Sequence, residues 1–192
     1  MRGGADDISS IIETLVSNNI TATFFTVGSW VEEYPEAVKM LNDAGMEIAN
    51  HSYDHKHVNK LSYEQNIADM KKCNDLISKI TNKTVKFYRG PYGEYNNNVI
   101  AAAKSLNMQT IQWDIDTLDY EGKTPDEMCE RIKKKLRNGS IILMHNDTKY
   151  TAQGLSQIID AIYNEGYEIV ALDKLIHTEN YEINYEGRQI KK

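Results

Sequence analysis

The sequence predicts an α/β fold, and three observations predict it. Runs rich in β-branched and aromatic residues alternate with segments of helical period along the whole chain. One run, Ser140 to His145, is almost continuously apolar, as suits a parallel strand buried on both faces. Ionisable side chains also recur just past successive strands, and parallel α/β folds gather their chemistry at the carboxyl ends of their strands.

The elements follow in order. Apolar residues at Ile8, Ile11, Ile12, Leu15 and Val16 form a helix stripe, with Asp6 or Asp7 placed to cap it. Ala22 to Val27 reads as a strand ended by Gly28. Pro35 opens the next helix at its first position and Gly45 closes it. Met46 to Asn50 is a second strand. Ser62 and Gln65 are spaced as a capping box for a helix reaching Ile80. A short strand at 86–89, a helix at 97–106, a strand at 108–114 and a helix at 125–137 continue the alternation. The strand at 140–145, a helix at 151–164 and a sixth strand at 167–172 complete it before a last turn at 173–176. Strands alternating with helices imply right-handed βαβ crossovers. Residues 1–178 read as one domain, and the charged, aperiodic segment 179–192 as a loosely attached extension.

Composition bounds the function. With 192 residues, 41% hydrophobic and 26% charged, the chain buries a substantial core as a single domain. A net charge of -6 and a pI near 5.4 argue against nucleic acid as a partner, and Lys133 to Lys135 read as the wet face of a helix. No apolar window reaches the ~18 residues that a membrane span needs. The N-terminal residues lack the apolar core of an export signal. Cys73 and Cys129 fall in amphipathic helices and read as free thiols.

The chemistry centres on His51 and His55, four residues apart at the end of the second strand. If this stretch coils into a helical turn, both imidazoles stand on one face and can share a divalent cation. The plainer alternative has His51 capping the strand and His55 solvated in a loop. Further residues gather at the same rim: Arg89 and the turn Gly90-Pro91-Tyr92-Gly93, then Asp114, Asp116 and Asp119, then His145. Each alone could shape a turn or cap a helix, but all of them doing only that is a poor account of one rim.

In these residues the chain resembles the carbohydrate esterase family 4 polysaccharide deacetylases, the NodB homology domain, over roughly residues 8–177. His51-Ser52-Tyr53-Asp54-His55, preceded by Asn50, is similar to the metal-binding H[ST]xxH motif. Arg89-Gly90-Pro91-Tyr92-Gly93 resembles the RxPYG motif, Asp116 to Tyr120 the DxxDW motif, Leu143-Met144-His145 the LxH motif, and Ala22 to Phe25 the ATFF strand. The resemblance implies a distorted (β/α)7 barrel of the NodB type, lacking its first strand. It implies a metal-dependent hydrolase that removes acetyl groups from N- or O-acetylated polysaccharide such as peptidoglycan, chitin-like oligomers or acetylxylan.

Carried over to this sequence, His51 and His55 would ligate the metal, and the Tyr92 backbone N–H would help hold the oxyanion. His145 would be the general acid, with Asp119 holding and tuning its imidazole, and Arg89 would orient a catalytic base. Pro91, Tyr92, Tyr120 and Leu143 would line the substrate groove, Leu143 against the acetyl methyl. The metal would be zinc in first place, with cobalt, nickel or manganese as alternatives. His57 is assigned to the loop and not to the ligand set. The full-length family setting is extracellular or at the cell envelope.

Three departures qualify this picture. The family's TFDDG motif, source of the catalytic base and third ligand, is absent, so a weakly held ion is expected. Asp6 or Asp7 could reach the metal, although capping is the better expectation for either. Tyr120 replaces the usual Trp, and Asn146 follows His145 where Asp is common. Without its first strand the barrel would expose the edge of 22–27, to be filled by another part of the chain, filled by self-association, or left as a wet groove. The alternative function is a catalytically silent module that binds metal or glycan.

Overall fold

A computed structural model describes residues 3–192. Helix α1 (Ile8–Ser17) leads into strand β1 (Thr23–Thr26), followed by α2 (Gly28–Glu33), α3 (Pro35–Asp43) and β2 (Glu47–Asn50). The long helix α4 (Tyr63–Thr81) precedes β3 (Phe87–Tyr88), α5 (Asn97–Ser105) and β4 (Gln109–Thr110). Then come β5 (Ile115–Asp116), α6 (Pro125–Lys135), β6 (Ile142–Leu143), α7 (Thr151–Asn164) and the short α8 (Leu172–Leu175). The strands β1-β2-β3-β4 form one parallel sheet in that order, and β5 pairs in parallel with β6 in a second. The α/β expectation therefore holds, with parallel strands throughout both sheets.

Local sequence accounts for most element ends. Ser62 and Gln65 form the expected capping box on α4, with the Gln65 N–H donating to Ser62 Oγ at 3.2 Å and the Ser62 N–H to Gln65 Oε1 at 2.8 Å. Thr124 and Glu127 repeat it on α6, and Pro35 and Pro125 occupy first-turn positions. Along α4, Met70, Cys73 and Ile77 are fully enclosed and face the sheet. Burying a side chain such as Met70 or Leu41 contributes about 1.5–3 kcal/mol each. Cys73 and Cys129 are buried on separate helices as free thiols.

Several expectations need correction. Gly28 does not end a loop-bound strand but begins α2, which periodicity missed in so short a segment; a Cβ there would lie 2.6 Å from the Tyr53 ring, so only glycine lets this helix close on the turn after β2. The strand expected at 108–114 breaks. Only Gln109–Thr110 forms a strand, paired with β3; residues 111–114 lie between strands, and β5 begins beyond the expected range at Ile115, next to Asp114, whose carboxylate accepts the Ile141 N–H at 2.8 Å and the Ser140 hydroxyl at 3.1 Å. The strand expected at 167–172 is absent: Tyr167 to Val170 runs as irregular backbone that turns into α8 at Leu172. Tyr167 N–H instead closes the end of α7 on Ile162 O at 3.3 Å. Asp7 sits at the N-cap of α1 without capping it; its carboxylate accepts the Asp147 N–H at 2.8 Å. The segment expected to be aperiodic holds an antiparallel hairpin, β7 (Tyr181–Ile183) with β8 (Gln189–Lys191), tied back by Arg188 to Asn138 O at 3.2 Å.

Candidate active site

The stretch 51–55 does not coil into a helical turn. His51 leaves β2 with its N–H still on the ladder, donating to Thr26 O at 3.0 Å. Ser52 then adopts φ 67° and His55 φ 59°, a tight turn rather than a helix. Asn50 imposes it: the buried amide donates to Met70 O at 2.8 Å and Asn74 Oδ1 at 2.7 Å while its Oδ1 accepts the Ser52 N–H at 2.8 Å. Ser52 Oγ accepts the His55 N–H at 2.9 Å. The outcome still brings the imidazoles together, with ring centroids 5.0 Å apart at 74°.

His51 is held in one tautomer. Its Nδ1 lies 2.7 Å from Arg89 O, and a carbonyl only accepts, so Nδ1 carries the proton and Nε2 keeps its lone pair. Burial holds the ring neutral, far below the ordinary histidine range. A backbone carbonyl on the second ring nitrogen is also how metal-binding histidines are oriented. The two imidazoles lie side by side, and no group of three or more His, Cys, Asp or Glu side chains suited to a metal occurs among the described residues. Asp7 joins no such group, and one of its carboxylate oxygens accepts the Asp147 N–H.

The loop after β3 closes the other wall. Arg89 is buried, its Nε donating to Ile111 O at 3.3 Å and Nη2 to Gln112 O at 3.2 Å, with the guanidinium 4.1 Å from the Phe25 ring centroid and 5.4 Å from that of Trp113. These bonds satisfy the carbonyls left over where the chain passes from β4 to β5. Arg89 has no salt bridge among the described residues, so it is seen here as a buried strut, and burial lowers its pKa to about 10. Gly90 is required, since a Cβ would meet Glu94 O at 2.1 Å. Pro91 is buried beneath the turn, and Tyr92 takes φ 59°, ψ 14°, a left-handed conformation that costs an aromatic residue about 1–2 kcal/mol.

A carboxylate–imidazole pair follows from the later loops. Asp119 is buried and accepts from the His145 N–H at 2.5 Å, from His145 Nδ1 at 2.8 Å, from the Tyr120 N–H at 2.9 Å and from the Thr151 hydroxyl at 2.8 Å. Burial works against its ionised form, but the His145 and Thr151 hydrogen bonds and the imidazole charge outweigh it and hold its pKa below the usual carboxylate value. With Nδ1 engaged, His145 keeps Nε2 for solvent or substrate. Tyr120 stands edge-on to this ring at 5.2 Å, and its hydroxyl donates to Asp116 Oδ2 at 3.2 Å.

A cavity of about 1090 Å³ joins the two halves: His51, His55, Arg89, Tyr92, Tyr120, Leu143 and His145 all line it. Asp119 and Pro91 stand behind the lining. Below the rim the cavity runs between Thr21–Phe25 and Gly166–Val170, walled by Ile11, Leu15, Ile158 and Ile162. Sequence reading missed Thr151 and Trp113. Thr151 looks like an ordinary helix start, and nothing local marks it as a partner of Asp119.

The comparisons with known proteins identify the family of the fold. A polysaccharide deacetylase family model matches residues 3–111. The chain belongs to the polysaccharide deacetylase family, the NodB-type domain of carbohydrate esterase family 4. It is 31% identical over 173 residues to the uncharacterized protein YlxY of Bacillus subtilis, covering 90% of this chain and 54% of that one. It is 30% identical over 172 residues to a peptidoglycan-N-acetylglucosamine deacetylase of Bacillus cereus, covering 88% and 62%. Among solved structures, a CE4 family pseudoenzyme from Bacillus anthracis superposes with a TM-score of 0.88 at 32% identity, covering 91% of this chain and 62% of that one. A mutant of it described as having restored enzymatic activity gives 0.86 at 34% identity, covering 90% and 63%. The chain thus spans between half and two thirds of the length of each of these relatives.

Proposed function

We propose that the site removes acetyl groups from N-acetylated sugars of a cell-envelope polysaccharide, with peptidoglycan as the substrate class. The observation that carries this reading is that His51, His55 and His145, the last held by Asp119, line one cavity. An amide has a poor leaving group, so its hydrolysis needs a Lewis acid on the oxygen side and a proton donor on the nitrogen side. His51 and His55 would hold a divalent ion, zinc in first place, which when bound polarises the acetyl carbonyl and activates water. The Tyr92 N–H is the proposed donor to the developing oxyanion. Asp119 fixes the His145 tautomer so that Nε2 delivers the proton to the departing amine. Leu143 packs against the acetyl methyl, while Tyr92 and Tyr120, both exposed, offer faces for sugar rings. Arg89, with its carbonyl on His51, supports the ligand as well as the fold.

A second reading, a catalytically silent module that binds metal or glycan, is favoured by one observation: the described side chains provide two metal donors and no third. Acetate release separates the two. With added zinc or cobalt, the chain is expected to liberate acetate from N-acetylglucosamine oligomers, and His145→Ala to lower the rate by about 100-fold or more. Absence of acetate from a folded, metal-loaded chain would assign it to the silent class.

A further inference from the structure

We propose that His57 and Glu94 are positioning residues whose pair clamps Tyr92 against His55. Tyr92 is 58% exposed and lies in a left-handed backbone conformation, so neither burial nor backbone preference fixes its ring. Two contacts do. The His57 ring stacks on it face to face, centroids 4.4 Å apart at 15°, and the His55 ring meets it edge-on at 4.7 Å and 71°.

His57 is itself half exposed and would be free to rotate without Glu94, whose Oε1 lies 2.7 Å from His57 Nδ1. The other carboxylate oxygen accepts the Asn59 N–H at 3.2 Å. Glu94 therefore latches the loop after β2 to the turn after β3. The turn is held tight enough for this by Gly90, over which the Glu94 carbonyl folds. Order passes from Glu94 to His57, then to the Tyr92 ring and the edge of His55. Its functional consequence rests on the reading of His55 as a metal ligand, whereas the clamp itself does not.

NMR shifts of the His55 ring protons, which lie against the Tyr92 ring, report the clamp directly, and zinc titration calorimetry reports its consequence. His57→Ala and Glu94→Ala are each expected to move the His55 signals and to weaken zinc binding about tenfold, the lower end for loss of a group that orients a ligand. Glu94→Gln keeps an acceptor for His57 and is expected to restore both; His57→Phe keeps the stack but loses the latch and should fall between. The double alanine variant should be no worse than the poorer single one. Melting temperatures should stay within about 2 °C, as for surface substitutions. Unmoved His55 signals in both alanine variants, or additive losses in the double, would overturn the clamp. Failure of zinc to bind the wild type would overturn the metal reading while the His55 signals still decide the clamp.

Discussion

Asp119 shows how much one residue carries. Its buried carboxylate takes bonds from His145, Tyr120 and Thr151, so Asp119→Ala strands several buried donors and is expected to cost about 1–3 kcal/mol in denaturant unfolding. The pH dependence has a definite sign. Because its folded pKa lies below the ordinary carboxylate value, Asp119 contributes stability that is fully present above that value and is lost as pH falls through the lower folded one. Asp119→Asn should flatten that acid limb of the stability curve, which melting curves between pH 2 and 5 would record (a window of roughly one to two units about the carboxylate range). His51, His55, Asp119 and His145 were legible in the sequence because strand ends in a parallel fold mark the chemistry. Thr151 was not, since its contact with Asp119 joins α7 to the loop after β5. Arg89 was legible as a rim residue, but its bonds to Ile111 O and Gln112 O depend on a sheet break that periodicity does not reveal.

The helices read well from sequence and the strands less so, for a physical reason. A helix closes its own hydrogen bonds, and its caps are local, as Ser62–Gln65 on α4 shows. Ser62→Ala is expected to cost about 0.5–2 kcal/mol by thermal or denaturant unfolding, and Thr124→Ala on α6 a similar amount. A strand exists only where a partner is. Tyr167 to Val170 has β-rich composition but no pairing, and 108–114 keeps a strand only at Gln109–Thr110, where β3 pairs with it. The 51–55 turn makes the same point at smaller scale: spacing placed two histidines together, while Asn50 and Ser52, not helical geometry, bring the rings within 5.0 Å.

At the scale of the whole molecule, the two parallel sheets leave an apolar cavity between β1 and the segment Gly166–Val170 that continues from the active-site rim. β1 is the edge of its sheet, and an edge strand exchanges its amides through smaller openings than an interior one. Amides of Thr23–Thr26 should exchange about tenfold faster or more than those of Ile48–Asn50, and Tyr167–Val170 faster still, as read by hydrogen-exchange mass spectrometry. The same cavity is lined by His51 and His55, the proposed metal ligands, and by His145 with its Asp119 partner, and the proposed function rests on their sharing it. Zinc titration calorimetry of the chain beside His51→Ala and His55→Ala tests it most directly. One site with a Kd weaker than about 1 μM is expected, as suits two protein donors, and its loss in both variants. Zinc binding of equal strength in the variants, or no binding of zinc or cobalt to the folded wild type, would contradict it.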